Sequence, residues 1–344
     1  MSKPIASLSL DLDNKWAYLR NHGAAYTEGV RTESVHTESD DPNRYASYLG
    51  EVAPRIVGFF AERELRATVF VVGKDLELAD GREAVSQFAN AGHEIGNHSQ
   101  SHFPWLQSLP PEQVEYELVA AEQAIESLTG VTPVGFRAPG FSWSPELLAL
   151  LVRRNYQYDA STFPTIIGPL ARAYSRLRLP SRQSDTEGDP PPQSFASLAD
   201  AFRPLRPYQI DTAAGPLVEA PVTTMPLLRI PIHVTYLTFL AQFSTAAAKA
   251  YLRTALALCR LRGVAPSMLL HPLDFLGIED EPQLAFFPGM KLAREQKMEL
   301  LHWLIEAMQQ TWRVTTIRDH VAEVCGQTAE SGAAEQPASE VVTL

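Results

Sequence analysis

Two aspartates stand two residues apart near the start of the chain, in the stretch "SLSLDLDNKW" (residues 7–16). The alternation of Ser and Leu before them is typical of a strand, and residues i and i+2 of a strand share a face. The carboxyl groups of Asp11 and Asp13 are therefore expected to point the same way, where two like charges repel unless something separates or neutralises them. The pair needs cationic partners, and other parts of the sequence supply candidates.

The stretch "HSQSH" (98–102) places His98 and His102 four residues apart, a spacing that puts two imidazoles on one face of a helix. A zinc protease motif with this spacing has Glu directly after the first histidine, and Ser99 stands there instead, so that class of site is excluded. The histidines could still bind a divalent metal with a carboxylate from elsewhere, for which Asp13 is a candidate. Two histidines and one carboxylate leave positions open for water and substrate, as in catalytic zinc sites, and the same set could hold Fe(II) for oxygen chemistry.

The elements that must position these residues alternate between strand and helix along most of the chain. Strands are predicted at 5–11, 66–72, 93–98, 134–138, 156–161, 217–223, 267–275 and 312–317, and helices at 42–63, 81–91, 110–130, 144–155, 244–262 and 292–310. Repeated strand and helix units indicate a parallel sheet, open or closed into a barrel, and in such folds sites form at the carboxyl ends of the strands. The polar residues predicted at those ends are Asp11, Asp13, His98, His102, Arg137, Asp159 and His271.

Residues 1–325 are predicted to form a single barrel domain. Between about 162 and 216 the pattern weakens, and "SRQSDTEGDPPPQS" (181–194) has the composition of an exposed loop, so an inserted irregular segment is expected there. The last stretch, 326–344, has no aromatic residue and is predicted to be a disordered tail.

Composition narrows the function classes. The 344 residues carry a formal net charge of −11, which argues against a nucleic-acid partner because phosphate contacts need a basic surface. No uninterrupted apolar run of about 18 residues exists, so no membrane span is expected. The first residues lack the apolar stretch and cleavage site of a secretory signal, which predicts a cytoplasmic address.

Five motifs, "SLDLDNKW", "GHEIGNHSQSH", "GFRAPGF", "YDAST" and "LLHP", resemble in that order the motifs of the polysaccharide deacetylase family, also called the NodB-homology or carbohydrate esterase family 4 fold. The resemblance spans residues 5–275. It implies a distorted (β/α) barrel of about seven to eight parallel strands that removes an N-acyl or O-acyl group from a sugar with a bound metal. Zn²⁺ is the metal expected first, with Co²⁺, Ni²⁺, Mn²⁺ and Fe²⁺ as alternatives.

The resemblance also implies a division of labour between the two aspartates. Asp11 resembles the family's general base, and Arg137 resembles the arginine that holds and tunes that base. The metal ligands implied are Asp13, His98 and His102. The chemistry of the residue types agrees, because a metal lowers the pKa of a water whose proton a nearby carboxylate can take.

Further roles follow from the same resemblance. His271 resembles the general acid that protonates the leaving amine, and Asp159 lies where the family has an acidic residue in the network around that histidine and the arginine. The backbone N–H of Gly140 occupies the place of the oxyanion donor, and Leu270 is expected to line the acyl pocket. His233, near a predicted strand end in "RIPIHVTYL", is a candidate for contact with substrate.

The sequence departs from the common family pattern at three points. Leu12 splits the aspartates, Asn14, Lys15 and Trp16 stand where Gly-Pro is common, and Gly140 replaces an aromatic residue of the substrate groove. Split aspartates resemble those of intracellular members and of deformylases that act on lipid-linked sugars. We therefore expect a hydrolase of linear amides that removes an acetyl or formyl group from an amino sugar on a lipid-linked or otherwise small glycan. The alternatives are deacetylation of a chitin- or peptidoglycan-like polysaccharide and a catalytically silent carbohydrate-binding barrel.

Segment 169–182 is a candidate for peripheral contact with an anionic membrane at the inner face. Apolar residues follow a roughly helical stripe there, and the basic residues are Arg172, Arg176, Arg178 and Arg182. A solvated helix face packed on the barrel is the alternative.

Overall fold

A curved sheet of mostly parallel strands is the framework of the molecule, with helices packed on its outer face. The structure is a computed structural model that describes residues 3–26, 46–167, 200–331 and 342–343. Its strands are β1 (Ile5–Asp11), β2 (Thr68–Val71), β3 (Glu94–Asn97), β4 (Gly135–Phe136), β5 (Tyr158–Asp159), β6 (Tyr208–Thr212), β7 (Gly215–Glu219), β8 (Ser267–Leu270), β9 (Arg313–Thr315) and β10 (Val342–Thr343). Its α-helices are α1 (Lys15–Tyr26), α2 (Leu49–Ala61), α3 (Ala79–Asn90), α4 (Pro111–Thr129), α5 (Pro145–Arg153), α6 (Val234–Ala241), α7 (Thr245–Leu261), α8 (Arg294–Thr311) and α9 (Ile317–Ser331).

The strand order is β10-β6-β7-β5-β4-β3-β2-β1-β8, and β9 also pairs with β1. All pairs are parallel except β6 with β7, which form an antiparallel hairpin. Over the described ranges no pairing joins the two ends of this order, so the sheet is a half-closed barrel. The predicted distorted (β/α) barrel is confirmed, with one antiparallel pair that the prediction lacked.

Alternation along β1 separates the core from the inner face of the barrel. Leu8, Leu10 and Leu12 are fully buried in the main hydrophobic cluster, which also contains residues of α2, α7 and α8. Burial of each such side chain contributes about 1.5–3 kcal/mol. A slip of one residue would turn Asp11 and Asp13 into this cluster, so the leucines fix the face on which the aspartates lie. Leu12 therefore has a packing role between the two carboxylates.

Helix boundaries follow local signals in the sequence. The Oγ atoms of Ser144 and Ser244 accept hydrogen bonds from the N–H groups of Leu147 and Ala247 at the starts of α5 and α7. Helix α4 begins at a proline and ends at Gly130, whose φ of 72° is the left-handed conformation that glycine adopts without a steric penalty.

Several parts of the chain differ from the sequence prediction, among them helix α1, which was not predicted. Strand β6 lies inside the segment expected to be irregular, because its buried Tyr208 and Ile210 alternate with exposed residues and pack against α5. Helix α6 was not predicted, since its apolar residues show no clear helical stripe. Helix α9 runs into the expected disordered tail, where Ala and Glu favour helix, and β10 pairs with β6.

Some predictions fall outside the described residues. They concern most of segment 162–216, including the arginines of 169–182, and residues 332–341 and 344 of the tail. Among the helices of the described ranges, none combines the length and apolar character needed to cross a membrane.

Candidate active site

Three buried side chains converge at the carboxyl ends of β1 and β3. Oδ1 of Asp13 lies 3.1 Å from Nε2 of His102 and 3.4 Å from Nε2 of His98. One possible ligand atom from each residue lies within 4.8 Å of the others. Within the described part of the chain, Asp13 Oδ1 is buried without a hydrogen bond of acceptable geometry. Two imidazole nitrogens and one carboxylate oxygen facing one another at these distances suit the ligands of one divalent cation.

The two histidines lie on a loop after β3, and not on a helix as their spacing had suggested. Ser99 and His102 have φ angles of 64° and 51°, which L-residues adopt only at an energetic cost. Several hydrogen bonds hold the loop, among them those from Ser99 N–H to Asn97 Oδ1 at 2.8 Å and from Ser101 N–H to Glu117 Oε2 at 2.7 Å. Strain held in this way at a site is typical of functional geometry.

Further hydrogen bonds orient the possible ligands. His98 Nδ1 lies 2.6 Å from the carbonyl oxygen of Arg137, so this nitrogen carries the proton and Nε2 is left with its lone pair toward Asp13. The hydroxyl of Tyr18 donates to Asp13 Oδ2 at 3.1 Å. Burial opposes ionisation of Asp13, but His102 and His98 outweigh it and hold the pKa of Asp13 well below its usual value. The donor set thus fits a divalent metal such as Zn²⁺.

Asp11 has a different partner. Its Oδ1 accepts a hydrogen bond at 2.7 Å from Nη1 of Arg137, which is fully buried. Nη1 also donates to Ser9 Oγ at 2.9 Å, Nε donates to the carbonyl of Ala160 at 3.0 Å, and the guanidinium lies 4.4 Å from the ring centroid of Phe70. Arg137 is therefore fixed on several sides and holds Asp11 in one position.

The residues after Asp13 that depart from the family pattern have a structural explanation. Asn14 Nδ2 and Trp16 Nε1 both donate to Asp75 Oδ1, at 2.8 and 2.7 Å, and Lys15 forms an ion pair of 2.7 Å with Glu281. Burial raises the pKa of Asp75 to about 7, although these two donors oppose the shift. Asp75 thus anchors the turn that presents Asp13.

His271 follows β8 and completes the site. Its Nε2 lies 4.0 Å from Asp11 Oδ2, and its Nδ1 lies 3.2 Å from the hydroxyl of Thr235. The ring of His233 lies 6.0 Å away between centroids, so the sequence-predicted His233 does reach the site. Burial, with His271 and Arg137 nearby, holds the pKa of His233 well below its usual value, and its buried Nδ1 has no hydrogen bond with the described residues.

Asp159 does not join this group as the sequence predicted. Its carboxyl accepts from Ser161 Oγ at 2.6 Å and faces Glu219, its register partner on β7. Burial raises the pKa of Asp159, and burial together with the Asp159 carboxyl raises that of Glu219 well above its usual value. Besides Asp11, the acid that contacts His271 is Asp274, whose Oδ2 accepts from the backbone N–H of His271 at 2.8 Å.

Leu270 also lies elsewhere than predicted. Leu270 belongs to the main hydrophobic cluster together with Leu10, its register partner, so its side chain points away from the barrel interior. Leu269 shares the face of His271, because residues i and i+2 of a strand point the same way, and it is paired with Ser9. Gly140 lies in an exposed turn with φ of 62°, and a Cβ there would stand 3.0 Å from Cβ of Pro104.

Fold and site together define a (β/α)-barrel protein with a centre of two histidines and one carboxylate beside an Asp–Arg pair and a third histidine. Residues 38–159 match the family model for polysaccharide deacetylase. The chain is similar to a peptidoglycan deacetylase of Helicobacter pylori, with 32% identity over 125 residues that cover 36% of this chain and 42% of that protein. It is also similar to a chitooligosaccharide deacetylase of a Bradyrhizobium species, with 30% identity over 136 residues, 39% of this chain and 56% of that protein.

A crystal structure of a Mycobacterium smegmatis protein, provisionally described as a polysaccharide deacetylase, covers 95% of this chain and 94% of that one, with a TM-score of 0.56 and 19% identity. That likeness concerns the fold. The chain is thus similar, over residues 38–159, to the polysaccharide deacetylase family, also called the NodB-homology or carbohydrate esterase family 4 proteins. The matched regions span about half the length of the two relatives.

Proposed function

We propose that this chain is a metal-dependent hydrolase that removes an acetyl or formyl group from the nitrogen of an amino sugar. The proposal rests on one observation: the neighbouring carboxyl groups of Asp11 and Asp13 have different partners. Asp11, held by Arg137, faces His271 Nε2 at 4.0 Å, while Asp13 faces the two histidines of the HSQSH loop. A base, an acid and a metal centre are what amide hydrolysis by water requires.

Asp13, His98 and His102 would hold the metal. Bound there, a divalent cation, Zn²⁺ before Co²⁺, Ni²⁺, Mn²⁺ or Fe²⁺, supplies Lewis-acid chemistry that lowers the pKa of water and polarises an acyl carbonyl. The other ring nitrogen of His98, Nδ1, is held by the carbonyl oxygen of Arg137, and the other carboxyl oxygen of Asp13, Oδ2, is held by the hydroxyl of Tyr18. These contacts keep Nε2 of His98 and Oδ1 of Asp13 directed at one point.

The chain's own residues move the protons. Asp11 takes a proton from the water that attacks the acyl carbon, and Arg137 keeps the carboxylate in place through Oδ1, so that Oδ2 remains for the proton. His271 Nε2 gives a proton to the sugar nitrogen as the carbon–nitrogen bond breaks and its electron pair stays on nitrogen. The backbone N–H of Gly140 is the proposed donor to the oxyanion, and neutral His233 a proposed contact to substrate.

For the substrate we propose a lipid-linked or otherwise small glycan. The absence of an aromatic residue at Gly140 supports it, as does the turn after Asp13, which uses Asn14, Trp16 and Asp75. The second candidate is a polysaccharide, and it is favoured by the two relatives, which are named for peptidoglycan and for chitooligosaccharides. A silent carbohydrate-binding barrel is disfavoured because base, acid and ligand set are all present in contact geometry.

The test measures acetate and formate released by the Zn²⁺-loaded protein from a panel of substrates. The panel contains N-acetyl and N-formyl amino sugars, chitooligosaccharides, peptidoglycan fragments and amino sugars on a polyprenyl phosphate. We expect release from one class, and loss of that release in Asp11→Asn. Binding of a panel member without any release would support the silent barrel and contradict the proposal.

A further inference from the structure

The imidazole of His271 has two different neighbours at its two nitrogens. Nε2 faces Asp11 across 4.0 Å, toward the metal centre, whereas Nδ1 lies 3.2 Å from Oγ1 of Thr235. A neutral imidazole carries one proton, and its position decides which nitrogen can exchange a proton with substrate. The neighbours of Nδ1 therefore decide what His271 can do.

Thr235 is the second residue of α6 and is itself hydrogen-bonded on the other side. Its hydroxyl donates to Asp274 Oδ1 at 3.3 Å. A carboxylate can only accept, so the hydroxyl proton of Thr235 points to Asp274 and the lone pairs of Oγ1 remain for the N–H of His271. The order of donation then runs from His271 Nδ1 to Thr235 and from Thr235 to Asp274.

Asp274 is fixed by its place in the turn after His271. Its Oδ2 accepts from the backbone N–H of His271 at 2.8 Å, and it is 1% exposed. Buried Lys297, whose Nζ donates to the carbonyl of Leu273 at 2.7 Å, attracts Asp274 electrostatically. The carboxylate is thus placed by backbone and charge before any substrate enters.

We propose that Thr235 and Asp274 are positioning residues that keep the Nδ1 proton on His271 and leave Nε2 as the nitrogen that serves the leaving amine. The inference rests on the proposed function for the identity of the reaction. When His271 is doubly protonated, the Nε2 proton goes to the sugar nitrogen, the Nδ1 proton stays with Thr235, and the negative charge of Asp274 stabilises the imidazolium. The groups that face His271 are Asp11, Thr235, Asp274 and His233.

This assignment differs from the one that the sequence suggested. Asp159 faces Glu219 and Ser161, so the acid that we assign to His271 is Asp274 in the turn after β8, which acts through the hydroxyl of Thr235 on α6. Thr235 and Asp274 lie 36 and 3 residues from His271 in the chain, and their contact forms only when α6 packs over that turn.

The first test compares acyl release by four variants of the Zn²⁺-loaded full chain. Thr235→Val is expected to lower kcat by about 10- to 100-fold with KM within about twofold, since acid–base groups act on the chemical step. Thr235→Ser keeps the hydroxyl and should restore most of kcat. Asp274→Asn keeps an acceptor for the His271 N–H and loses the charge, and it should lower kcat similarly. The matched control is Thr238→Val, one turn further on α6, whose hydroxyl donates to the Thr235 carbonyl and does not touch His271.

Equal kcat values for Thr235→Val and Thr238→Val would overturn the proposal. A second readout does not depend on activity: nitrogen-15 NMR of His271 reports which nitrogen carries the proton. We expect the Nδ1–H form in the wild type and in Thr235→Ser, and a mixture of both forms in Thr235→Val. An Nε2–H form in the wild type would contradict the positioning role, whereas the Nδ1–H form together with no acyl release from any substrate would count against the proposed function alone.

Discussion

Two pairs of carboxyl groups lie at the carboxyl edge of the same sheet. The repulsion between like charges is relieved differently in each pair. Asp11 and Asp13 each have their own cationic or metal-binding partners, Arg137 for one and two histidines for the other. Asp159 and Glu219 are register partners on β5 and β7, with no ion pair to a cation in the described structure; burial raises the pKa of both, and we expect a shared proton to relieve their repulsion. Residue type and strand-end position are alike in the two pairs. The neighbours decide which pair can do chemistry.

Removal of a proposed metal ligand is expected to lower the rate of acyl release more than any other change. His98→Ala should lower acyl release by about 10³-fold, because a metal supplies several kcal/mol of stabilisation to the developing charge. The matched control is His93→Asn, at a buried histidine whose Nδ1 accepts from the Ala67 N–H at 3.2 Å and which packs on Phe60 and Phe88. Comparable losses in both variants would mean that the effect comes from folding.

The second prediction compares one carboxyl group from each pair by its effect on the rate of acyl release. Asp11→Asn should lower the rate of acyl release by about 10²- to 10⁴-fold, the usual range for a base that transfers a proton in the rate-determining step. Asp159→Asn removes one negative charge from the same sheet edge and should change the rate by less than about threefold. Rates that fall equally in the two variants would contradict the assignment of Asp11 as base.

Asp159 and Glu219 should make the free energy of unfolding depend on pH. Burial raises the pKa of both Asp159 and Glu219 in the folded chain. The stability they contribute is therefore fully present below pH ~4, the usual carboxyl range, and is lost as the pH rises through their folded values. Glu219→Gln should flatten this decline and raise the free energy of unfolding at pH 8 by on the order of 1–3 kcal/mol. Denaturant unfolding at several pH values measures it, and a steeper decline in the variant would refute the shared proton.

The smallest effect concerns Asp75, a single buried carboxyl held by two neutral donors. Its folded pKa of about 7 means that stability is lost as the pH rises from the usual carboxyl range toward 7. Asp75→Asn removes this dependence but places an amide N–H₂ where Oδ2 has no hydrogen bond with the described residues, so the net gain at pH 8 should be about 1 kcal/mol. Asp280→Asn is a control in which stability should depend on pH in the opposite direction. Despite partial burial, the Gly277 N–H, Arg55 and Arg294 hold the pKa of Asp280 below its usual value. The stability that Asp280 contributes is therefore lost as the pH falls. Identical pH slopes in wild type and Asp75→Asn would contradict the account of this carboxyl.

The sequence was sufficient for the parts of the site that follow from strand alternation and strand ends. Asp11, Asp13, His98, His102, Arg137 and His271 lie together as predicted. The same alternation could have selected Leu269 over Leu270, because Leu269 and His271 are two residues apart on one strand.

Other members of the site depend on contacts that no local pattern contains. Asp75 lies 61 residues from Asn14, and Thr235 lies 39 residues from Asp274 on a helix without an amphipathic pattern. The position of Asp159 beside Glu219 has the same cause. Its partner Glu219 is brought beside it because β7 inserts next to β5, and that pairing follows from the hairpin with β6 that the prediction lacked.

The separate roles of Asp11 and Asp13 are tested most directly by the metal content of two purified variants, Asp11→Asn and Asp13→Asn, after loading with Zn²⁺ and removal of free metal. Each removes one charge from the same pair, two residues apart. We expect about one ion per chain in Asp11→Asn, as in the wild type, and almost none in Asp13→Asn, because only Asp13 belongs to the proposed ligand set. Loss of metal from both variants, or its retention in Asp13→Asn, would contradict the division of labour between the two aspartates.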